Sequence, residues 1–212
     1  MMAEYAGADY DAVTYEVTGE PGNWDLSAWF GVKPGLQEKN GYMNLPYVVD
    51  GDLTIAQTNA CFSHIGRVLG LYGSTYVETV KCEQTLCQVM DLRNDAVGKF
   101  YGPTPEDNFV GHLTGSVATN YGKFENFLQQ GGTLYTAGDT PTAGDFHLFE
   151  MVDQHEILAR ETGNPSPVAA FPLLTKLYSS LKSDPKLAKY FAGDLYKLPI
   201  NNTMACFGNK PL

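Results

Sequence analysis

Asn44-Leu45-Pro46-Tyr47-Val48-Val49-Asp50-Gly51 runs without a break into Asp52-Leu53-Thr54-Ile55-Ala56-Gln57-Thr58-Asn59-Ala60. The first run reads as a strand ending in an Asp-Gly turn, and Asp52–Ile55 is the natural return strand of a hairpin. The Leu45-Pro46 bond stands at the start of a buried strand, where a cis peptide is tolerated. Gln57 opens an amphipathic segment reaching about Leu71, with Phe62, Ile65, Val68 and Leu69 as its apolar residues and Thr58 as candidate N-cap. Gln57 and Thr58 therefore lie at a helix N-terminus, where free N–H groups and the positive end of the dipole attract an anion.

Upstream, Val13–Val17 alternates apolar and polar residues, as a short half-buried strand does. Thr18 to Met43 holds Gly, Pro, Asn and two Trp with no sustained period, and reads as a long loop with one short helix around Leu26–Phe30. Downstream the chain is mostly helical. Tyr76–Tyr101 is a long core-facing helix, Pro103–Glu106 interrupts the pattern, and a second helix runs from about Glu106 to Gln130 with Gly131-Gly132 as its stop. Thr142-Ala143-Gly144-Asp145 has the spacing of a capping box, ahead of the apolar segment Phe146–Leu158. Phe171–Leu181 and Asp184–Phe191 are shorter helices, the second with Pro185 in its first turn, and the tail from Leu198 is irregular. The fold class is therefore a small α+β domain over residues 1–71 followed by an all-α domain over 75–212.

The 212 residues include 43% hydrophobic and 18% charged ones, a globular composition. A formal net charge of −10 argues against a protein that tracks nucleic-acid phosphates or binds anionic membranes. No apolar run approaches the length of a membrane span. Cys61, Cys82, Cys87 and Cys206 are too few and too irregular for a disulfide scaffold, which points to a reducing, cytoplasmic setting. His147, His155 and Glu150 lie on one helix without a convergent ligand set, so no metal site is expected.

In order along the chain, Asp25-x-Ser27-x-Trp29-x3-Lys33, Asn44-Leu45-Pro46-Tyr47-x-x-Asp50-Gly51, Gln57-Thr58-Asn59-Ala60, Thr136-Ala137-Gly138 with Thr142-x-x-Asp145-Phe146, Phe171-Pro172-x-Leu174 and Met204-Ala205-x-Phe207-Gly208-Asn209-Lys210 resemble a cytosolic glutathione transferase, closest to the mu class with alpha- and sigma-like features. The resemblance spans nearly the whole chain. It implies a thioredoxin-like domain packed on an all-helical one, in a homodimer or as a subunit of a larger complex, with glutathione as co-substrate and small electrophiles as partners. It further implies that the backbone of Leu45, before Pro46, meets the cysteinyl part of glutathione like an added strand. Gln57 and Thr58 would take the γ-glutamyl carboxylate, Trp29 and Lys33 the glycyl carboxylate, and Asn44 an amide contact. Asp91 would reach the ligand's amino group in the partner subunit. Tyr101 and Phe207 would wall the electrophile pocket. Without that family context Trp29 reads as core filler, Lys33 and Asp91 as solvated charges, Gln57-Thr58 as a plain helix cap, and Tyr101 and Phe207 as packing aromatics.

Two departures stand out. Leu26 takes a place where mu-class proteins carry an Arg. Residues 1–15 resemble the end of the family's first helix and its second strand, so the opening strand is missing, and with it the tyrosine that donates to the glutathione sulfur; Tyr5 and Tyr10 fall too late to replace it. No catalytic hydroxyl is assignable, and residues 13–17 lose their ladder partner. Each backbone group left unpaired and buried would cost about 1–3 kcal/mol. Three explanations fit: a natural start upstream of Met1, a strand supplied by another chain, or a non-catalytic rearrangement.

Overall fold

The computed structural model describes residues 1–102 and 105–211. A short helix α1 (Met2–Ala6) leads into extended chain, then a small hairpin of β1 (Thr18–Glu20) and β2 (Asn23–Asp25). Helices α2 (Ser27–Phe30) and α3 (Lys33–Gln37) follow, then the hairpin β3 (Tyr47–Asp50) and β4 (Leu53–Ala56), then α4 (Thr58–Val68). The helical part holds α5 (Tyr76–Phe100), α6 (Pro105–His112), a π-helical turn (Leu113–Val117), α7 (Ala118–Gly131), α8 (Ala143–Glu161), α9 (Pro172–Lys182), α10 (Ala188–Ala192) and α11 (Asp194–Lys197), with 3-10 turns at Val168–Ala170 and Pro185–Leu187.

The Asp50-Gly51 hairpin and the helix after it form as expected. Tyr47 pairs with Ala56 and Asp50 with Leu53, antiparallel, with Gly51 at φ 55° in the turn. Residues 13–17 do not form a strand. The sheet is two separate hairpins, and Val13 is 65% exposed. At the exposed Val13, Thr14 and Glu16 the cost expected for unpaired groups does not arise, because exposed backbone exchanges ladder bonds for water. Two ties hold the segment: the Tyr15 and Tyr47 hydroxyls meet at 2.5 Å, and the Thr203 hydroxyl donates to the Val17 carbonyl at 2.9 Å.

The stretch 18–43 is more ordered than a loop. Pro21-Gly22 makes the β1–β2 turn, and Gly19, at φ 96°, brings its backbone so close to the Asn23 carbonyl that a Cβ would lie 2.3 Å from that oxygen. The helix expected over 106–130 is three pieces, α6, the π turn and α7, closed by Gly132 in the left-handed region. Of the break expected at 103–106, residues 103 and 104 lie outside the described residues, and Pro105 begins α6.

The core lies between α5 and α8. Cys82, Leu86, Val89, Leu92, Ala96 and Phe100 make one buried stripe on α5, and Gly144 on α8 packs directly on Thr85. Every residue of α8 from Ala143 to Phe149 is buried, as in a central helix. Asp145, wholly buried, accepts four hydrogen bonds at 2.8 Å, from the backbone N–H and hydroxyl of both Thr136 and Thr142. The two halves join where the Ala143 N–H donates to the Leu71 carbonyl at 2.7 Å and Gly66 of α4 leaves room for Ala143 and Tyr72. A second, smaller core of Trp29, Met43 and Ala56 lies under the β3–β4 hairpin.

Candidate functional site

The register of β3 and β4 brings Pro46 and Gln57 side by side at one end of the hairpin, next after the Tyr47–Ala56 pair. The Leu45-Pro46 peptide is cis. One turn into α4, the buried Cys61 thiol lies 3.7 Å from the carbonyl oxygens of both Pro46 and Ile55, holding the helix start against the bend. Burial pushes that thiol's pKa up, so Cys61 is a packing group and not a nucleophile. Asn40 fastens the approach. Its amide nitrogen donates to the Thr54 carbonyl and its oxygen accepts from the Tyr42 N–H, both at 2.9 Å.

Gln57 has φ 78° and ψ 125°, a left-handed value at the residue that caps α4. Such a conformation at a residue with a side chain costs about 1–3 kcal/mol and tends to persist where function requires it. It sets the exposed Gln57 beside the helix N-terminus, with Thr58 as the first helical residue. Behind them the side-chain oxygen of Asn59 is buried without a protein partner, an acceptor left open at the head of α4.

Trp29 is buried, with Tyr47 stacked on it at 6.0 Å between centroids and Tyr15 at 5.2 Å. Lys33 does not continue the helix of Trp29. It begins α3, and its ammonium lies 5.9 Å from the Trp29 ring and 5.7 Å from that of Phe30. No ion pair among the described residues uses Lys33. Trp29 thus stands on the same small core as Tyr47 of β3, with the Lys33 ammonium beside its ring, while Asn44 and Leu45 lie exposed ahead of β3.

The other expected residues stand on the helical part. Asp91 is exposed on α5. Tyr101, 41% exposed, follows the end of α5, and its hydroxyl accepts from the Asn202 N–H at 3.3 Å. Phe207 is buried against Phe100 and Phe109 at 4.9 and 5.9 Å. The C-terminal tail joins these residues to the first half through the Thr203–Val17 bond. Among the described residues no group of three or more His, Cys, Asp or Glu could hold a metal.

Three features escaped the reading of the sequence. Asn59 was in view, directly after Gln57-Thr58, but its burial was not. The Tyr15–Tyr47 pair joins residues 32 apart and has no local signal. The third is a cleft of ≈ 1010 Å³ between β3 and the extended segment after α1, lined also by Phe62 and Ile65 of α4 and by Phe149 and Glu150 of α8.

A family model described as "Glutathione S-transferase, C-terminal domain" matches residues 90–194. Human Glutathione S-transferase Mu 3 is 31% identical over 216 residues, covering 100% of this chain and 90% of that protein. Human Glutathione S-transferase P is 35% identical over 165 residues, covering 76% of this chain and 74% of the relative. Among solved structures, the glutathione S-transferase Blo t 8 superposes with a TM-score of 0.82 at 22% identity, over 98% of this chain and 92% of that one, a likeness of fold.

Proposed function

The chain belongs to the glutathione S-transferase family, and we propose that it binds glutathione at the cis Leu45-Pro46 bend and the start of α4, and joins the ligand's sulfur to electrophilic carbons. The observation that carries this reading is the strained Gln57 beside a helix N-terminus that no side chain caps. A carboxylate there meets free N–H groups and the positive dipole end. Leu45 offers backbone groups to the cysteinyl peptide. Trp29, Lys33 and Asn44 hold the far end, Lys33 supplying the charge. Asp91, exposed on α5, is assigned to the amino group of glutathione bound by a second subunit of a homodimer, and Tyr101 and Phe207 to the side where the electrophile lies. The setting is cytoplasmic.

In the chemical step the thiolate attacks the electrophilic carbon, a C–S bond forms, and the leaving group departs with its electron pair. A free thiol near pKa 8.5 is mostly protonated at neutral pH, so a donor to the sulfur raises the nucleophile's concentration. The Tyr15–Tyr47 pair is a poor donor. One of the two hydroxyl hydrogens is spent within the pair, and the Tyr47 hydroxyl is pushed up to about 12, first by its bond to Tyr15 and then by burial. The catalytic reading therefore places the thiol-activating hydroxyl on a strand filling the cleft along β3. The cleft also supports a second reading, in which this fold serves as a non-catalytic subunit whose partner covers that edge.

Calorimetric titration of the natural protein with glutathione, together with a conjugation assay on an aryl chloride, separates these readings. Binding that Trp29→Ala weakens at least tenfold is expected. Turnover above the rate of free glutathione supports the enzyme, and binding without it supports the subunit. No binding at all overturns the site.

A further inference from the structure

Four elements of the helical part meet at a string of side chains that glutathione binding leaves unused. The Asp95 carboxylate on α5 lies 3.1 Å from Nδ1 of His112, the last residue of α6. His112 Nε2 lies 3.1 Å from His155 Nε2 on α8, and His155 Nδ1 lies 3.3 Å from the Tyr121 hydroxyl on α7. The His112, His155 and Tyr121 side chains are buried, while that of Asp95 is 38% exposed. The chain passes from His112 directly into the π-helical turn Leu113–Val117, a rare geometry frequent at functional sites.

With both rings neutral, one arrangement of protons satisfies all three contacts of the string. His112 Nδ1 faces a carboxylate, so it carries the hydrogen. In a neutral ring its Nε2 is then an acceptor, and His155 must donate from its own Nε2. His155 Nδ1 is left to accept from the Tyr121 hydroxyl. All three bonds run one way, from Tyr121 outward to Asp95, and no ring nitrogen is left over. One added proton on His112 reverses the inner bonds, leaves the displaced His155 hydrogen to the Met151 carbonyl that also faces this ring, and strips the Tyr121 hydroxyl hydrogen of its acceptor. A second sets two N–H groups head to head across the 3.1 Å between the rings.

The string also bears on the tail. The His112 ring meets Phe100 edge-on at 6.4 Å. Phe100 packs against Phe207 at 4.9 Å, and its carbonyl accepts from the Cys206 N–H at 2.8 Å. We propose that Asp95, His112, His155 and Tyr121 form an acid-sensitive latch, closed while both imidazoles are neutral and released when the pair takes up protons, freeing the α6 corner and the tail from the end of α5.

Burial lowers the pKa of both imidazoles, that of His155 to about 3. Asp95 raises that of His112 and Lys99, also on α5, lowers it, while His112 lowers that of His155 and the Met151 carbonyl and Asp95 raise it. Across the string, burial first, then Glu156 of α8, Tyr178 of α9 and Asp153 of α8, keep the Tyr121 proton in place. The latch therefore holds at neutral pH and opens in acid, whether or not glutathione binds.

Histidine nitrogen NMR on the folded chain tests the arrangement directly. At pH 8, His112 should show the Nδ1–H tautomer and His155 the Nε2–H tautomer, with both rings titrating below the ordinary histidine range. Amide hydrogen exchange of residues 198–211, corrected for the intrinsic pH dependence, should rise at least tenfold between pH 7 and pH 4. In His155→Phe that rise should vanish, with His155→Gln as the alternative if the Phe variant does not fold. Opposite tautomers, a ring titrating near its ordinary value, or an equal rise in wild type and variant would overturn the latch.

Discussion

Gln57 shows how much a single residue's backbone can reveal. Its positive φ has no glycine to ease it, so the fold sustains strain at the head of α4. Gln57→Gly removes the strain together with the side chain, and the two consequences have opposite signs. Thermal stability should hold or rise, by up to about 1 kcal/mol, since glycine adopts this φ freely. Glutathione affinity, measured by calorimetry, should fall at least tenfold. A variant that loses stability as well would show that Gln57 is a structural cap and not a ligand contact. The motif around Gln57 was legible in the sequence, because a residue before a helical period marks its start. Its φ was not, since the torsion is imposed by how β4 hands over to α4.

Among the elements, caps were the most legible and strands the least. The Thr142–Asp145 box was readable from spacing alone, and the structure adds that Asp145 also gathers the Thr136 donors. Asp145→Ala leaves those donors buried without acceptors and should cost about 3–5 kcal/mol, read as a lower denaturant midpoint. An effect below about 1 kcal/mol would mean that water replaces the carboxylate. A second box, Thr75 with Glu78, has the same spacing at the start of α5 and went unread, although the pattern was present. Pro21-Gly22 was likewise an available turn signal for β1–β2. Residues 13–17 alternate correctly for a strand yet remain unpaired, because alternation describes a face and says nothing of a neighbour.

At the scale of the whole molecule, buried histidines tie stability to pH. His147 stacks on Phe62 at 4.4 Å with its Nδ1 unpartnered, and burial lowers the pKa of both it and His155 to about 3. An unfolded histidine titrates near 6.5, so below that pH the unfolded chain binds protons that the folded one refuses. Stability is then complete above about pH 6.5 and declines as pH falls toward the folded values, at up to about 2.7 kcal/mol per pH unit for the two residues together. Urea midpoints at pH 7.5, 6 and 5 should show the decline above the carboxylate range. A level profile between pH 7 and 5 would mean that neither ring is held neutral.

The sequence by itself determined the elements whose signals are local: the Asp50-Gly51 hairpin, the caps, the helical periods and the motif of Asn44 to Ala60 that pointed to the family. Each depends on residues a few positions apart, within reach of one turn's chemistry. Only the tertiary structure decided that residues 13–17 stay outside any ladder, that Phe207 is buried against Phe100 and Phe109, and that His112 and His155 share one hydrogen bond. Ladder pairing, burial and proton placement are properties of what lies opposite in space, and along this chain those neighbours are 32 to 186 residues away.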